Sequence, residues 1–428
     1  LARSGSGGIS AVPARRRPVA TKTGEQTTMA LNITNSLRQN QSGRISLSQK
    51  LCLLAAGISC LSFAASAHAF ETKARNAILM DYETGAYLFT KNHQEMIAPA
   101  SMSKLMTVYV LLSKLKDGEI SLDDKFTVSE NAWRKGGAAS GGSTMFLKIG
   151  QEVRVEDLLK GILIQSGNDA CIVVAENLAG SEAEFAAMMN ETAEKIGLHN
   201  AHFENATGLP HPEHKISVED LALLARRIIG EFPEFYHLFS TKEFTFNGIR
   251  QGNRNPLLYS LKGADGLKTG HTSEAGFCLT GSAVRNNRRL IEVMAGLESN
   301  KQRSEETESL MTWGFANFDN YKFFNENQIM AEVPVWYGTV KTVDAVVPEK
   351  VVRTIKKSGK SKYGAKIIYD QPLKAPVLKG DKIGELFITY EDETVDKIPL
   401  VAKDNVAKIG PFSRFLANLK YFVFGTGE

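Results

Sequence analysis

The sequence lacks a transmembrane segment and lacks a strongly basic body. Its longest apolar stretch, at residues 51–65, has about fifteen residues, fewer than the ~20 needed to cross a bilayer. The formal net charge is +4, but residues 1–69 hold eight basic side chains and one acidic one, whereas the remainder holds 43 basic and 46 acidic ones. A slightly acidic body is poorly suited to neutralising many phosphates, so we expect no nucleic-acid partner.

Cysteines and metal-binding motifs are also scarce. Only four cysteines occur in 428 residues, and Cys171 and Cys278 lie in apolar stretches that favour buried free thiols over a disulfide bridge. Two histidine pairs with a spacing of three occur in the polar segment 199–214, but no His-Glu-x-x-His motif is present. We therefore expect no metal site and no cofactor.

The first 69 residues have the pattern of an export signal. Arg44 and Lys50 precede the apolar stretch, and Ala67-His68-Ala69 follows it as a small-x-small cleavage site. We expect cleavage after Ala69, which removes residues 1–69 and leaves an exported chain that begins at Phe70.

The remaining chain is long enough for two folded domains. The apolar fraction of the full sequence, 43%, is typical of a globular protein. Strand-like runs at 77–89 and 276–297 enclose a mainly helical region, which predicts one sheet beside a helical cluster at residues 70–332. Short runs rich in Val, Ile and Thr, separated by Pro or Gly, predict a small all-β domain at residues 333–409.

Residues 410–428 predict a C-terminal amphipathic helix. Apolar residues recur with helical spacing, and basic or amide side chains lie off that stripe. The stripe includes Phe412, Phe415, Leu416, Leu419, Phe422 and Val423, whereas Arg414, Asn418 and Lys420 lie off it. A helix packed on its own domain is one interpretation. The three Phe, the two basic residues and the short length favour a helix whose residues 411–424 lie on a membrane surface.

A serine and a lysine stand one turn apart at the start of a predicted helix. Ser101 and Lys104 follow Pro99 and small residues, so both side chains lie on the same helical face. A neutral lysine can take the proton of a serine hydroxyl and activate it as a nucleophile. Ser113 and Lys116 have the same spacing, but only the first pair stands where backbone N–H groups at a helix start can stabilise an oxyanion.

Two further short motifs contain polar groups suited to a cleft. Ser166 and Asn168 lie in a turn between predicted helices, where they can relay a proton and fix a substrate amide, or where Asn168 simply caps a helix. Lys268, Thr269 and Gly270 lie in a predicted strand. Lys268 offers positive charge and Thr269 a hydroxyl to a carboxylate-bearing ligand, and Gly270 permits close approach of a substrate backbone.

The three motifs together are far more specific than each alone. Ser-x-x-Lys is followed after 65 residues by Ser-x-Asn and after a further 102 by Lys-Thr-Gly. With the stretches APASMSKLMT, IQSGNDAC, GNRN and DGLKTGHT, the sequence resembles the low-molecular-mass penicillin-binding proteins, specifically serine-type D-alanyl-D-alanine carboxypeptidases. The resemblance is strong over residues 76–318 and looser beyond.

This resemblance implies an α/β (α+β) transpeptidase or β-lactamase-like domain with a central antiparallel sheet and a helical cluster, followed by a small all-β domain and the amphipathic helix. The implied substrate is a peptidoglycan stem peptide ending in two D-alanines, and β-lactam antibiotics would bind covalently at Ser101. The implied location is the periplasmic face of the bacterial inner membrane, with peripheral attachment.

The resemblance also implies roles for individual residues. Ser101 would attack the carbonyl between the two D-alanines, with Lys104 as base. Ser166 would relay a proton to the leaving amine, Asn168 would hold the substrate amide, and backbone N–H groups of Ser101 and His271 would form the oxyanion hole. Arg254, in the GNRN stretch, would bind the terminal carboxylate, with a structural ion pair as its alternative.

Two other functions remain open at the level of sequence. An exported serine β-lactamase needs an efficient route for water to the acyl-enzyme, yet no Glu-x-x-Leu-Asn motif occurs near residues 200–215. A non-catalytic cell-wall binding protein would not need Ser101, Lys104 and Lys268 to be intact. The carboxypeptidase is therefore the favoured function.

Overall fold

The computed structural model describes residues 26–31, 70–357, 363–390 and 395–424. They form two units, one of residues 70–321 and 353–357, and one of residues 26–31, 322–352, 363–390 and 395–424. The helices are α1 (Lys104–Lys116), α2 (Glu130–Gly136), α3 (Val155–Lys160), α4 (Asn168–Ala179), α5 (Glu182–Lys195), α6 (Val218–Glu231), α7 (Leu257–Ser260), α8 (Asn300–Asn317) and α9 (Pro411–Phe424).

The strands in the first half of the chain are β1 (Gln26–Leu31), β2 (Asn76–Asp81), β3 (Tyr87–Lys91), β4 (Lys125–Thr127), β5 (Glu152–Arg154), β6 (Ala201–His202), β7 (Lys215–Ile216), β8 (Glu243–Phe246), β9 (Ile249–Gly252) and β10 (Ala264–Thr272). Those in the second half are β11 (Gly276–Arg285), β12 (Arg288–Leu297), β13 (Phe318–Phe324), β14 (Ile329–Trp336), β15 (Thr342–Val346), β16 (Val351–Lys356), β17 (Gly364–Asp370), β18 (Leu373–Lys374), β19 (Lys382–Thr389) and β20 (Val395–Ala402).

The larger unit is built on a five-stranded antiparallel sheet with the order β10-β11-β12-β2-β3. Strands β2 and β3 form a hairpin, and β2 pairs with β12, so that the sheet joins distant parts of the chain, as the sequence predicts. The two faces of the sheet pack against different helices, because alternate side chains of a strand point to opposite sides. Ile291 and Val293 belong to the core with α1, α4 and α6, whereas Leu290 and Met294 pack with Leu310 of α8.

Helix α1 is the central helix of this unit. Its first nine residues, 104–112, are all buried, which is the pattern of a helix surrounded by protein on every side. The consequence for the site is that Lys104, the first residue of α1, has a fully buried side chain.

Residues 155–165, in the region predicted to be mainly helical, form two elements. α3 ends at Lys160, and residues 161–165 form a single π-helical turn that ends at Ser166 in the left-handed conformation, with φ of 60°. Such turns are rare and occur often at functional sites. Cys171 and Cys278 are free and buried, which confirms the sequence prediction.

The second unit contains a seven-stranded sheet with the order β1-β17-β19-β20-β15-β14-β18. The first part of the predicted all-β domain, residues 333–347, contains the end of β14 and all of β15, because Tyr337, with φ of 57°, turns the chain between them. The expected domain boundary at 332/333 falls inside β14. Strand β1 pairs with β17 at the sheet edge, and a chain cleaved after Ala69 would not contain it.

Helix α9 follows the second sheet directly. The apolar residues Phe412, Phe415, Leu416 and Leu419 are exposed. Within the described ranges, we find no helix with the length and apolar character needed to cross a membrane.

Candidate active site

Ser101 lies in a short 3-10 turn, Ala100–Ser103, that leads directly into α1. Ala100 has φ of 48°, a left-handed conformation that costs roughly 1–2 kcal/mol for a residue with a Cβ atom. The turn is held against Gly208, because a Cβ atom on that glycine would lie 2.0 Å from the carbonyl oxygen of Ala100. Close packing thus fixes the backbone beside Ser101, whose side chain is half-buried.

The side-chain nitrogen of Lys104 lies among three oxygen atoms. It contacts Ser101 Oγ at 2.9 Å, Asn168 Oδ1 at 2.8 Å and the backbone oxygen of Thr207 at 2.5 Å. The first two motifs therefore meet at one amine. Thr207 was not foreseen, because a backbone carbonyl leaves no signal in the side-chain sequence.

The third motif joins the site through Ser166. Lys268 is buried on β10, and its Nζ donates to Ser166 Oγ and to the backbone oxygen of Thr269, each at 3.0 Å. Lys104 and Lys268 thus each contact their own serine hydroxyl.

Burial is the main cause of the lowered pKa of both Lys104 and Lys268. It lowers the pKa of Lys104 to about 8, and the charge of Arg254 lowers it further. Burial also holds the pKa of Lys268 well below its usual value, and the charges of Lys104 and Arg254 add to this effect. Because two positive charges repel each other, a proton on either lysine disfavours a proton on the other.

A buried histidine supports the same region. His214 Nε2 lies 2.7 Å from Ser103 Oγ, and His214 Nδ1 accepts the backbone N–H of Glu204 at 3.1 Å. Because Nδ1 accepts, Nε2 carries the hydrogen and donates to Ser103, and burial lowers the pKa of His214 to about 4. The sequence had drawn attention to the spacing of His211 and His214 only as a candidate metal pair. In the part of the chain that the structure describes, no group of three or more His, Cys, Asp or Glu side chains could hold a metal ion.

Hydrogen bonds hold the loop of residues 143–145 beside Asn168. The carboxylate of Asp169 accepts Thr144 Oγ1 at 2.6 Å and the backbone N–H of Met145 at 3.0 Å, and the backbone N–H of Asn168 donates to the carbonyl of Ser143 at 2.8 Å. The loop therefore has a fixed position beside Asn168.

Arg254 reaches the same loop. Its guanidinium donates to Ser143 Oγ at 2.6 Å, and no carboxylate among the described residues forms an ion pair with it. Ser143 was not foreseen by the sequence analysis, since an isolated serine in a Gly- and Ser-rich loop carries no pattern.

The Lys-Thr-Gly strand packs against the segment that carries the nucleophile. A Cβ atom on Gly270 would lie 2.9 Å from the backbone oxygen of Pro99. In the structure, Gly270 permits close approach of the protein's own backbone at Pro99. The sequence analysis predicted that it permits close approach of a substrate backbone. Thr269 is buried beside Lys268, and His271 follows on the exposed strand end with its ring 4.0 Å from that of Phe277.

Comparison with known proteins agrees with this geometry. Residues 63–299 match the family model described as D-alanyl-D-alanine carboxypeptidase, and residues 318–408 match that of the penicillin-binding protein 5 C-terminal domain. The chain is 41% identical over 340 residues to the D-alanyl-D-alanine carboxypeptidase DacD of Salmonella typhimurium, covering 79% of this chain and 87% of the relative. It is 40% identical to DacC of Escherichia coli, covering 80% and 86%.

Solved structures of similar proteins show the same architecture. Penicillin-binding protein 5 of Haemophilus influenzae has a TM-score of 0.74 and 36% identity, with 80% of this chain and 99% of that one covered. DacD of Francisella tularensis has a TM-score of 0.69 and 31% identity, with 83% and 98% covered. These similarities confirm the transpeptidase-like fold followed by an all-β domain.

A serine hydroxyl in contact with a buried lysine at the start of the central helix is an arrangement that can activate a serine as a nucleophile, as in the class of serine hydrolases. The chain belongs to the D-alanyl-D-alanine carboxypeptidase family. It is a serine peptidase that acts on peptidoglycan, and the predicted function is confirmed at this level.

Proposed function

We propose that this carboxypeptidase works through an acyl-enzyme on Ser101, with Lys104 as the base. A neutral amine has two N–H bonds and one lone pair. Asn168 Oδ1 and the carbonyl of Thr207 can take the two hydrogens, which aims the lone pair at the remaining neighbour, Ser101 Oγ. This arrangement is the observation that carries the proposal, and the lowered pKa makes the neutral amine accessible near neutral pH.

The bond changes follow from that geometry. Ser101 Oγ loses its proton to Lys104 Nζ and bonds to the carbonyl carbon between the two D-alanines, and the oxyanion faces the backbone N–H groups of Ser101 and His271. The carbon–nitrogen bond then breaks. Ser166, hydrogen-bonded to Lys268, gives its proton to the departing D-alanine amine and receives in turn the proton that Lys104 took up, so that Lys104 is neutral again. A water molecule then bonds to the ester carbon and gives a proton to Lys104, which returns it to Ser101 Oγ as the ester bond breaks.

Substrate binding uses the groups around this centre. Asn168 offers its Nδ2 to the substrate backbone, because its Oδ1 faces Lys104. Thr269, Gly270 and Arg254 bind the carboxyl-terminal end of the peptide. Arg254 suits the terminal carboxylate, since a guanidinium can donate two parallel hydrogen bonds.

We also propose that penicillins acylate Ser101 and inhibit the enzyme, because a β-lactam presents a strained amide to the same nucleophile. The chain is exported, residues 1–69 are removed, and residues 411–424 hold the peptidase and all-β domains at the periplasmic face of the inner membrane. The exposed apolar stripe of α9 supports the attachment.

The experiment is a paired assay of the purified, processed protein. A pentapeptide ending in D-Ala-D-Ala measures release of D-alanine, and labelled penicillin measures both the adduct and its decay. We expect D-alanine release and an adduct that decays slowly. Fast penicillin turnover without D-alanine release would identify a β-lactamase, and neither activity would identify a non-catalytic wall-binding protein.

A further inference from the structure

The polar side of α9 faces the all-β unit. Tyr337 Oη donates to Asn418 Oδ1 at 2.6 Å, and the backbone N–H of Ile409, just ahead of the helix, donates to the carbonyl of Tyr337 at 2.8 Å. Asn418 lies off the apolar stripe of the helix. The four stripe residues that are described, Phe412, Phe415, Leu416 and Leu419, remain exposed.

Beside Tyr337 the unit exposes three apolar side chains, which we name the edge patch. Trp336, Val340 and Leu378 are 44%, 51% and 59% exposed. They lie on neighbouring segments, because the backbone N–H of Ala375 donates to the carbonyl of Trp336 at 2.9 Å and Gly338 pairs with Lys408. The last of these segments leads within three residues into α9. The edge patch and the helix stripe thus occur at the same end of one unit.

Exposed basic side chains lie on the same segments as the edge patch. Lys374 pairs with Trp336 across β14 and β18, and Lys341 and Lys379 directly follow Val340 and Leu378 in sequence. All three are exposed, as is Lys408. Of the nearby acids, Asp381 uses a carboxylate oxygen to accept the backbone N–H of Leu378 at 2.7 Å. Exposed apolar side chains with basic ones on the same segments match the interface of a bilayer that contains anionic lipids.

We propose that the edge patch enters the headgroup region of an anionic bilayer together with the stripe of α9. This proposal rests on the proposed membrane attachment through α9 and extends it to the folded β unit. Continuity with the helix and these basic side chains favour lipid as the occupant, and tryptophan is enriched at membrane interfaces. Because both α9 and the edge patch contact the bilayer, the β unit has a fixed orientation on the membrane. Attachment through α9 alone would allow it to rotate.

The test compares four forms of the protein, each exported with its own signal and processed. They are wild type, the edge-patch variant W336S/V340S/L378S, the control variant I329S/V395S, and a chain that ends at Gly410. Ile329 and Val395 are similarly exposed in the same unit. Sedimentation with vesicles of phosphatidylethanolamine and phosphatidylglycerol gives the affinity, and thermal unfolding checks the fold.

We expect the edge-patch variant to bind about tenfold more weakly or worse, a change of about 1.4 kcal/mol, because three apolar side chains no longer leave water on binding. The control variant should bind like wild type. Equal affinity of the edge-patch variant and wild type would overturn the inference, whatever the truncated chain does. If the truncated chain binds as tightly as wild type, attachment through α9 is wrong, and the two failures are thereby distinguished.

A second readout does not depend on the triple variant folding. Brominated phospholipid should quench the fluorescence of wild type more strongly than that of Trp336→Phe, because the bromine atoms lie in the bilayer. Identical fractional quenching of the two proteins would contradict insertion of Trp336. If the edge-patch variant loses binding to isolated peptidoglycan but binds vesicles like wild type, the edge patch contacts the cell wall, and the proposal is overturned.

Discussion

Lys104 Nζ lies 2.9 Å from Ser101 Oγ, both in the first turns of one helical segment. The pair with the same spacing at the other end of α1 has no such contact. Ser113 Oγ donates to the carbonyl of Tyr109 at 3.0 Å, and Lys116 Nζ donates to that of Glu231 at 2.9 Å. Of these two pairs with identical spacing, only the one with the buried lysine has a contact between the amine and the serine hydroxyl.

Replacing Lys104 with Gln should slow acylation by penicillin by about 10²–10⁴, the usual contribution of a general base. Stopped-flow measurement of adduct formation checks this. Lys116→Gln is the matched control and should acylate at the wild-type rate. Acylation of Lys104→Gln within a few-fold of wild type would show that another group takes the proton.

The acylation rate should rise with pH and level off above about 8, because only the neutral form of Lys104 accepts a proton and its pKa is lowered to about 8. Asn168→Asp places a carboxylate against the amine and favours its charged form. The midpoint of the pH–rate curve should then move to higher pH. A midpoint that stays in place in this variant would contradict Lys104 as the titrating group.

Arg254→Gln should lower kcat/KM for the pentapeptide by about 10- to 100-fold, since a hydrogen bond to a charged group contributes about 1.5–3 kcal/mol. Arg250→Gln, which removes an exposed arginine paired with Glu243, is the control. A peptide with a C-terminal amide should be a poor substrate for wild type and should show no further loss with Arg254→Gln. An equal loss on both peptides would mean that Arg254 does not bind the carboxylate.

Glu292 is a buried carboxyl on the sheet face opposite the site. Both of its side-chain oxygens are buried without a hydrogen-bond partner, and burial holds its pKa well above the usual value. The folded state therefore favours the protonated form. Stability from this residue is complete below the unfolded pKa near 4.5 and is lost as pH rises towards the higher folded pKa.

Glu292→Met should therefore raise the free energy of unfolding by roughly 1–4 kcal/mol at pH 8, and by less at pH 4. Thermal unfolding across this pH range measures the effect. Glu298→Met, at an exposed position just after β12, should leave the midpoint almost unchanged. If Glu292→Met is less stable than wild type, the buried carboxyl of Glu292 forms a stabilising hydrogen bond in the folded protein.

The sequence predicted the elements and the motifs better than their contacts. The spacing of apolar residues and the turn residues predicted strands at β2, β3, β11 and β12 and a helical region between them, because these signals are local in the sequence. Three short motifs led to Ser101, Lys104, Ser166, Asn168 and Lys268. The fold brings them into two hydrogen-bonded groups, Lys104 with Ser101 and Asn168, and Lys268 with Ser166. The contribution of Thr207 is a backbone oxygen, and the bond between His214 and Ser103 joins residues 111 positions apart. Neither follows from spacing.

The most direct test of the central claim is to locate the acyl group. Wild-type protein is treated with labelled penicillin, digested and analysed by mass spectrometry, with Ser101→Ala and Ser113→Ala treated in parallel. We predict one adduct on the peptide that contains Ser101, retained in Ser113→Ala, and absent together with D-alanine release in Ser101→Ala. An adduct on another residue, or full D-alanine release by Ser101→Ala, would contradict the account.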